Sequence, residues 1–398
     1  MIMQTTATGT RPHIWAIGGG KGGTGKSFAT ASLAIHLAQS GHRIVLVDGD
    51  LGGANLHTFL GMAPPSLSLS DVVRGDGLAS LDEAATDTPV PGLRLVSGAR
   101  NQLDIESLKY FQKTRLVRLI MGLPCDIVLV DLGAGTSLNV LDLFSIADRG
   151  ILTIVPEPTA LENCYRFLHA AYLRRLQNLG RTLGYLPTVN LALDPRWRSH
   201  PRRPDQILEE IRRIDWCAAD ALGNHMQAFR PCLIINQARD HQDARLGSLV
   251  QTTSERFLGI PTRHVGVIPY DPMLVRTVKS QRAFILEYPR CATARAIRAI
   301  AAQIFEPPVL DAARDANGAR FAEGSDYRFS PNPYAILDLA PDATPEEILA
   351  SYLRLKPALR ADSPALVSLD CESRRQREMV EVEAAYRFLS RNISARPA

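Results

Sequence analysis

The sequence predicts an α/β fold, a doubly wound and mostly parallel sheet, followed by a small all-α C-terminal domain. Three observations lead to this prediction. Apolar runs of strand length recur and end in polar residues, a glycine-rich loop follows the first run, and only helical patterns follow residue 330. Continuous apolar runs are typical of parallel strands that are covered on both faces. The runs are found at 14–17, 43–47, 93–98, 125–131, 150–155, 231–237 and 265–271.

The composition is that of an ordinary globular protein. The 398 residues are 45% hydrophobic and 22% charged, enough for one large α/β domain and a smaller unit. The net charge of +4 permits contact with DNA or an anionic membrane without requiring either. Six cysteines without a Cys-x-x-Cys spacing point to neither a zinc nor an iron–sulfur site, so we expect a reducing cytoplasm. No run of about 18 apolar residues occurs, so no membrane span is expected.

The pattern along the chain predicts five segments. They are a flexible N-terminus at 1–12, a large α/β domain at 13–305, a basic insertion within it at 177–230, a linker at 306–330 and a helical domain at 331–398.

The loop between the first strand and its helix matches the phosphate-binding pattern Gly, four residues, Gly, Lys, Ser. Glycines let successive N–H groups approach phosphate oxygens, and the helix N-terminus favours the same anion. Lys26 is expected to reach the β- and γ-phosphates of ATP, and Ser27 to offer its hydroxyl to Mg²⁺. The fold is thus of the P-loop NTPase type. The expected nucleotide contacts here are Gly20, Gly22, Gly23, Thr24, Gly25, Lys26, Ser27 and Phe28.

Acidic residues end two of the predicted strands. Asp48 and Asp50 follow the strand at 43–47, and Asp131 ends the strand at 125–131. Ligands of doubly wound folds bind at the carboxyl ends of the strands. We therefore expect Asp48 and Asp131 near Mg²⁺, and Asp50 next to the attacking water. Acidic residues also end strands simply as turn formers.

A second lysine stands inside the loop. One lysine beside Mg²⁺ already balances much of the triphosphate charge, so Lys21 requires another role. Lys21-Gly22-Gly23-Thr24-Gly25-Lys26-Ser27 resembles the deviant Walker A motif of the MinD/ParA ATPases. The resemblance implies that Lys21 crosses an ATP-dependent homodimer and contacts the other subunit's nucleotide. Lys21, Lys26 and Asp50 are then the expected catalytic residues.

Two further segments, 47–61 and 156–161, resemble the FlhG-like branch of that family, which controls flagellar number. The resemblance implies that Asp50 supports hydrolysis and that Asn236 recognises adenine. It also implies that the turn with Pro269 and Asp271 wraps the base. Most relatives carry Thr or Ser and Pro in the turn after Asp131, where this chain has Leu132 and Ala134.

Two regions lie outside this pattern. The segment 177–230 is rich in arginine and contains two tryptophans, which is typical of a surface for nucleic acid or acidic lipid, and equally of a solvated insertion. The segment 331–398 resembles a J-domain in Asn332-Pro333-Tyr334 and Thr344-Pro345-Glu346-Glu347. It lacks His-Pro-Asp, so we interpret it as a protein-docking module without co-chaperone activity.

The leading functional prediction is a slow ATPase that dimerises with ATP, is stimulated by a protein partner, and positions or counts a cellular structure such as a flagellum or a division site. It is expected in the cytoplasm, at the inner membrane surface or at a pole. The alternatives are a metabolic enzyme of the same fold, such as a cobyrinic acid amidase or dethiobiotin synthetase, and a ParA-like DNA-partitioning ATPase.

Overall fold

The computed structural model describes residues 11–50, 53–74, 80–98, 110–194, 203–306, 333–340 and 342–360, together with ten residues between 375 and 390. The predicted linker and most of the N-terminal segment lie outside the described residues, as do Trp197 and three of the arginines expected on the basic insertion.

An eight-stranded sheet forms the centre of the molecule, with the strand order β3-β4-β2-β5-β1-β6-β7-β8. Every neighbouring pair is parallel except β3 with β4. The predicted fold class is confirmed, and all seven predicted strands are present. The short β3 was not predicted. The strands are β1 (His13–Gly18), β2 (Ile44–Gly49), β3 (Thr86–Asp87), β4 (Leu93–Val96), β5 (Ile127–Leu132), β6 (Arg149–Ile154), β7 (Cys232–Ala238) and β8 (Arg263–Pro269).

Helices cover both faces of the sheet, so successive residues of one strand belong to different cores. In β1, Ile14 and Ala16 belong to one apolar cluster, whereas Trp15 and Ile17 belong to the other. This two-sided burial explains the continuous apolar runs of the sequence.

The helices up to the last parallel strand are α1 (Lys26–Gln39), α2 (Leu56–Leu60), α3 (Leu69–Arg74), α4 (Leu81–Ala84), α5 (Tyr110–Met121), α6 (Leu138–Ser145), α7 (Pro158–Leu183), α8 (Leu186–Leu193), α9 (Pro204–Ile214), α10 (Trp216–Met226) and α11 (His241–Thr253). A one-turn π-helix (Ser254–Leu258) extends α11. After β8, the described part of the chain contains α12 (Pro272–Lys279), α13 (Phe284–Glu287), α14 (Ala292–Phe305), α15 (Pro333–Ile336) and α16 (Pro345–Leu359).

Helix α1 is buried on nearly all sides, although its sequence predicts an amphipathic helix. It packs against the sheet and also against α2, α13 and α14. Only Ser27, His36 and Gln39 of its residues are not buried. The α1 helix is therefore held firmly at the end that carries the phosphate loop.

The segment 177–230 contributes to the main core. Its described part consists of the end of α7 and the helices α8, α9 and α10, and Val189, Ile211 and Leu222 of this segment lie in the same apolar cluster as the sheet. The sequence predicts an interruption of the core pattern here, because helices that bury a single face show weaker apolar runs than parallel strands.

The C-terminal helices pack against the π-helix. Phe257 lies in an apolar cluster with Leu337, Ile348 and Leu355. Arg256 donates from Nη2 to the carbonyl oxygen of Ile336 at 3.1 Å and to Asp338 at 3.0 Å.

The predicted start of α16 is confirmed, since Thr344 and Glu347 form a reciprocal capping box. All ten described residues between 375 and 390 are helical. The J-domain resemblance itself stays a prediction. Within the described ranges, no helix combines the length and the apolar composition needed to cross a membrane.

Candidate functional site

The phosphate loop joins the carboxyl end of β1 to the first turn of α1. Gly23 and Gly25 have φ of 78° and 83°, a left-handed conformation that favours glycine. A Cβ on Gly25 would lie 2.0 Å from Nδ2 of Asn236 on β7. The loop therefore takes its shape both from its own glycines and from a strand two positions away in the sheet.

Lys26 is buried behind the loop, with 8% of its surface exposed. Its Nζ donates to the carbonyl oxygen of Lys21 at 3.3 Å. Burial lowers the pKa of Lys26, and the nearby carboxylates of Asp131 and Asp50 oppose that shift. The structure thus brings three of the predicted site residues together, with one cation beside two carboxylates.

Asp131 lies at the carboxyl end of β5 and is 1% exposed. It accepts hydrogen bonds from the hydroxyls of Ser27 and Thr30, the latter at 2.9 Å. Burial raises its pKa to about 6 despite these donors. Sequence reasoning missed Thr30. Its position one helical turn after Lys26 was the available signal, since residues four apart share a helix face.

Asp48 accepts three backbone N–H groups, from Asp50 at 3.2 Å, Asn55 at 3.0 Å and Leu56 at 3.2 Å. Burial, together with Asp131, raises its pKa to about 7. Both oxygens of the carboxylate thus hold the loop that follows β2. The sequence predicted only that Asp48 lies near Mg²⁺ and did not reveal this structural role.

Asp50 is half-buried and faces the turn after β5. A Cβ on Gly133 would lie 3.3 Å from Oδ1 of Asp50, so the turn passes close to this carboxylate. The N–H of Gly135 donates to the carbonyl oxygen of Gly19 at 3.2 Å. The turn after β5 therefore contacts both the phosphate loop and Asp50.

Asn236 is 3% exposed at the end of β7, and protein groups engage both of its polar atoms. Nδ2 donates to the carbonyl oxygen of Thr24 at 2.8 Å, and Oδ1 accepts from the N–H of Gln237 at 2.9 Å. Asn236 thus fixes the phosphate loop to the sheet, a role that the sequence did not reveal. Recognition of adenine by Asn236 stays a prediction.

Pro269 ends β8, the strand next to β7, so it lies at the same edge of the sheet as Asn236. Asp271 caps α12, because its side chain accepts the N–H of Met273 at 3.0 Å.

The side chain of Phe28 points into the core. It is 4% exposed and packs edge-on against Phe284, with ring centroids 5.8 Å apart. The expected nucleotide contact of Phe28 is thereby limited to its backbone, because the buried ring belongs to the apolar cluster under α1.

Lys21 lies on the outer side of the loop, with 38% of its side chain exposed. Its Nζ donates to Glu157 at 2.9 Å and to the hydroxyl of Thr159 at 3.0 Å, both at the start of α7. The two loop lysines therefore occupy different environments. Lys26 is buried beside Asp131, and Lys21 is held by residues of its own chain at the surface.

The oxygen donors at this edge fit a magnesium ion that is shared with a nucleotide. In the described part of the chain, no group of three His, Cys, Asp or Glu side chains could hold a metal alone. Mg²⁺ in nucleotide sites takes one or two carboxylates, with phosphate oxygens and water completing its shell. The buried Asp131 beside the Ser27 hydroxyl matches that chemistry.

The chain is similar in sequence and fold to known proteins. The chain is 27% identical over 300 residues to the antiactivator FleN of Pseudomonas aeruginosa, which covers 75% of this chain and 88% of FleN. It is 29% identical over 155 residues to the flagellum site-determining protein YlxH of Helicobacter pylori, which covers 38% of this chain and 50% of YlxH.

Among solved structures, the septum site-determining protein MinD of Pyrococcus horikoshii, complexed with Mg-ADP, aligns with a TM-score of 0.51 at 21% identity. The alignment covers 74% of this chain and 96% of MinD, and it shows the fold. The profile of the CobQ/CobB/MinD/ParA nucleotide-binding domain matches residues 15–284. This chain therefore belongs to the CobQ/CobB/MinD/ParA nucleotide-binding domain family.

Proposed function

We propose that this protein is an ATP-dependent switch that dimerises with ATP bound, hydrolyses it slowly, and helps to position or count a cellular structure. The observation that carries the proposal is that the two loop lysines lie in different environments. Lys26 is buried beside Asp131, whereas Lys21 is partly exposed at the surface of the loop. One lysine suits the chain's own nucleotide, and the other suits that of a second subunit.

The hydrolytic step would depend mainly on how the phosphates and the attacking water are positioned. Bound Mg²⁺ would neutralise charge on the phosphate oxygens, and Ser27 and Asp131 are the residues that would hold it. Lys26 would bind the β- and γ-phosphates, and Asp50 would orient the attacking water. Gly133 and Gly135 give the turn after β5 contacts with both Asp50 and the loop, which suits a segment that responds to the γ-phosphate.

The relatives support the biological side of the proposal. FleN, YlxH and MinD are described respectively as an antiactivator, a flagellum site-determining protein and a septum site-determining protein. We therefore propose a role in flagellar or polar organisation, with a protein partner that stimulates hydrolysis. The same family includes CobQ and CobB, so a metabolic enzyme remains the alternative.

Two surfaces are candidates for transmitting the nucleotide state. On α9, Arg212 and Arg213 each pair with a glutamate three residues earlier, so the basic character of this helix is largely neutralised. This pairing speaks against DNA or acidic lipid as the main partner of α9. We favour the C-terminal helices as the protein-docking unit, because Arg256 and Phe257 join them directly to the nucleotide-binding domain.

Light scattering with ATP or ADP tests the switch. ATP, and not ADP, is expected to double the molar mass of the protein, and Lys21→Ala is expected to abolish the change. Lys279→Ala is the control, because Lys279 is an exposed lysine in the last turn of α12. A Lys21→Ala protein that still dimerises with ATP would show that the proposed dimer is wrong.

Turnover of ATP tests Asp50. Asp50→Ala is expected to slow phosphate release at least tenfold and to leave the ATP dimer long-lived, because the attacking water loses its orienting group. Unchanged turnover would remove Asp50 from the proposed mechanism.

A further inference from the structure

The ammonium group of Lys21 is held within its own chain by the first turn of α7. Its Nζ lies 2.9 Å from Oε2 of Glu157 and 3.0 Å from Oγ1 of Thr159. A lysine ammonium group has three N–H donors, and two of them are used here. The side chain of Lys21 is 38% exposed and that of Glu157 is 58% exposed, so water reaches the contact.

The geometry of α7 leaves Glu157 available for this contact. Glu157 is the N-cap of the helix, where side chains commonly accept a hydrogen bond from a first-turn N–H. Its carboxylate makes no such bond. The carboxylate is therefore not engaged in capping α7, and it binds Lys21 instead.

The loop and α7 are also fixed against each other next to Lys21. A Cβ on Gly20 would lie 2.1 Å from the carbonyl oxygen of Asn163, one turn beyond Thr159. The backbone of the loop thus contacts the backbone of α7 directly. This close packing places the backbone of Lys21 near enough to α7 for its ammonium group to reach Glu157 and Thr159.

We propose that Glu157 and Thr159 form a clamp that withholds Lys21 from the nucleotide of a second subunit, and that this clamp sets the affinity of the ATP-bound dimer. The inference rests on the proposed function, because it assumes that Lys21 acts across the dimer. In this proposal the ammonium group turns away from Glu157 and Thr159 of its own chain when it contacts a phosphate of the other subunit. Dimerisation therefore requires the clamp to open.

The clamp is weak enough to open. Exposed ion pairs stabilise a conformation by only a small amount, equivalent to a factor of about 1.4 to 5 in an equilibrium constant. A triphosphate carries more negative charge than one carboxylate and forms charge-assisted hydrogen bonds with lysine. Each dimer opens two clamps, one per subunit, so their factors multiply. Removing the clamp is expected to tighten the dimer about 2- to 25-fold.

Sedimentation with a non-hydrolysable ATP analogue tests the inference. Glu157→Gln removes the charge and Thr159→Val removes the hydroxyl, and the double variant is expected to lower the Kd of the dimer by that factor. Glu162→Gln is the matched control, because Glu162 lies on the same helix and pairs with Arg166 rather than with Lys21. A Kd that is unchanged or raised in the double variant would overturn the inference.

Chemical labelling of Lys21 separates this inference from the proposed function. The chain contains only six lysines, so acetylation rates are readily assigned by mass spectrometry. Without nucleotide, the double variant is expected to label Lys21 several-fold faster than the wild type, and Glu162→Gln is expected to label it at the wild-type rate. Equal rates would show that no clamp exists.

The two failures are distinguishable. A wild type that stays monomeric with the ATP analogue refutes the proposed function, whatever the labelling rates. A wild type that dimerises, beside a double variant with faster labelling but the same Kd, refutes the inference alone.

Discussion

Replacing Asn236 with alanine removes the side chain that joins β7 to the phosphate loop. Asn236 is 3% exposed, and its Nδ2 donates to the carbonyl oxygen of Thr24 at 2.8 Å. The substitution leaves this carbonyl group without its donor in a buried environment, which costs about 1–3 kcal/mol. We expect the free energy of unfolding to fall by that amount, measured by urea denaturation of the nucleotide-free protein.

The same variant separates two roles of Asn236. If it fixes the loop, every ligand with a triphosphate loses affinity equally, because the loop binds phosphate and not the base. If it only reads adenine, ATP alone is affected. We expect calorimetric affinities for ATP, GTP and inorganic triphosphate to fall by a common factor of up to about 150, because the part of the ~1–3 kcal/mol that the free loop avoids by relaxing is needed to reorder it on binding.

The control for this experiment is Asn224→Ala, since Asn224 lies on α10 and its side chain donates to Asp220 on the same helix. It is expected to leave all three affinities unchanged. Weaker ATP binding with unchanged triphosphate binding would refute the loop-fixing role, and so would an Asn236→Ala protein of wild-type stability.

Three other expectations follow from the described contacts. In EDTA, the free energy of unfolding is expected to fall by about 5–6 kcal/mol as the pH rises from 4 to 7. The folded-state pKa values of Asp48 and Asp131 (about 7 and 6) lie above the unfolded value, so folding retains their protons. A variant Asp48→Asn with the wild-type slope would contradict this. Gly20→Ala is expected to lower the free energy of unfolding in urea by about 1–3 kcal/mol, because its Cβ would meet a carbonyl oxygen of α7 at 2.1 Å. Gly22→Ala is the control. Its Cβ has its nearest neighbour at 4.0 Å, so the free energy of unfolding should change by less than about 0.5 kcal/mol. Arg256→Ala is expected to increase hydrogen exchange in α16, since it removes two hydrogen bonds to the C-terminal helices, and unchanged exchange would show that these bonds do not hold them.

The helices that are hard to predict from the sequence are those with a weak apolar pattern. Helices α5, α6 and α11 were not predicted, because each buries a narrow face and lacks the long apolar run of a parallel strand. The π-helix at 254–258 reads as an ordinary helix in the sequence. Its turn carries Arg256 and Phe257 to the C-terminal helices, a contact that depends on residues about 80 positions later.

The sequence by itself determined the sheet, the phosphate loop and the edge at which Asp48, Asp50, Asp131 and Asn236 meet. Those features are local, since glycine geometry shapes the loop and parallel strands that end in polar residues place them at one edge.

Only the tertiary structure decided which partners these groups have. Lys21 donates to Glu157, which is 136 positions away in the chain, and Asn236 donates to Thr24, which is 212 positions away. Asp48 takes its hydrogen bonds from the backbone of the loop that follows it. Hydrogen bonds to backbone atoms and ion pairs between distant segments leave no periodic pattern in a sequence, because any residue supplies the same carbonyl and N–H groups. Packing of the loop against α7 and β7 therefore decides which of these side chains contact a helix and which contact the backbone of the loop.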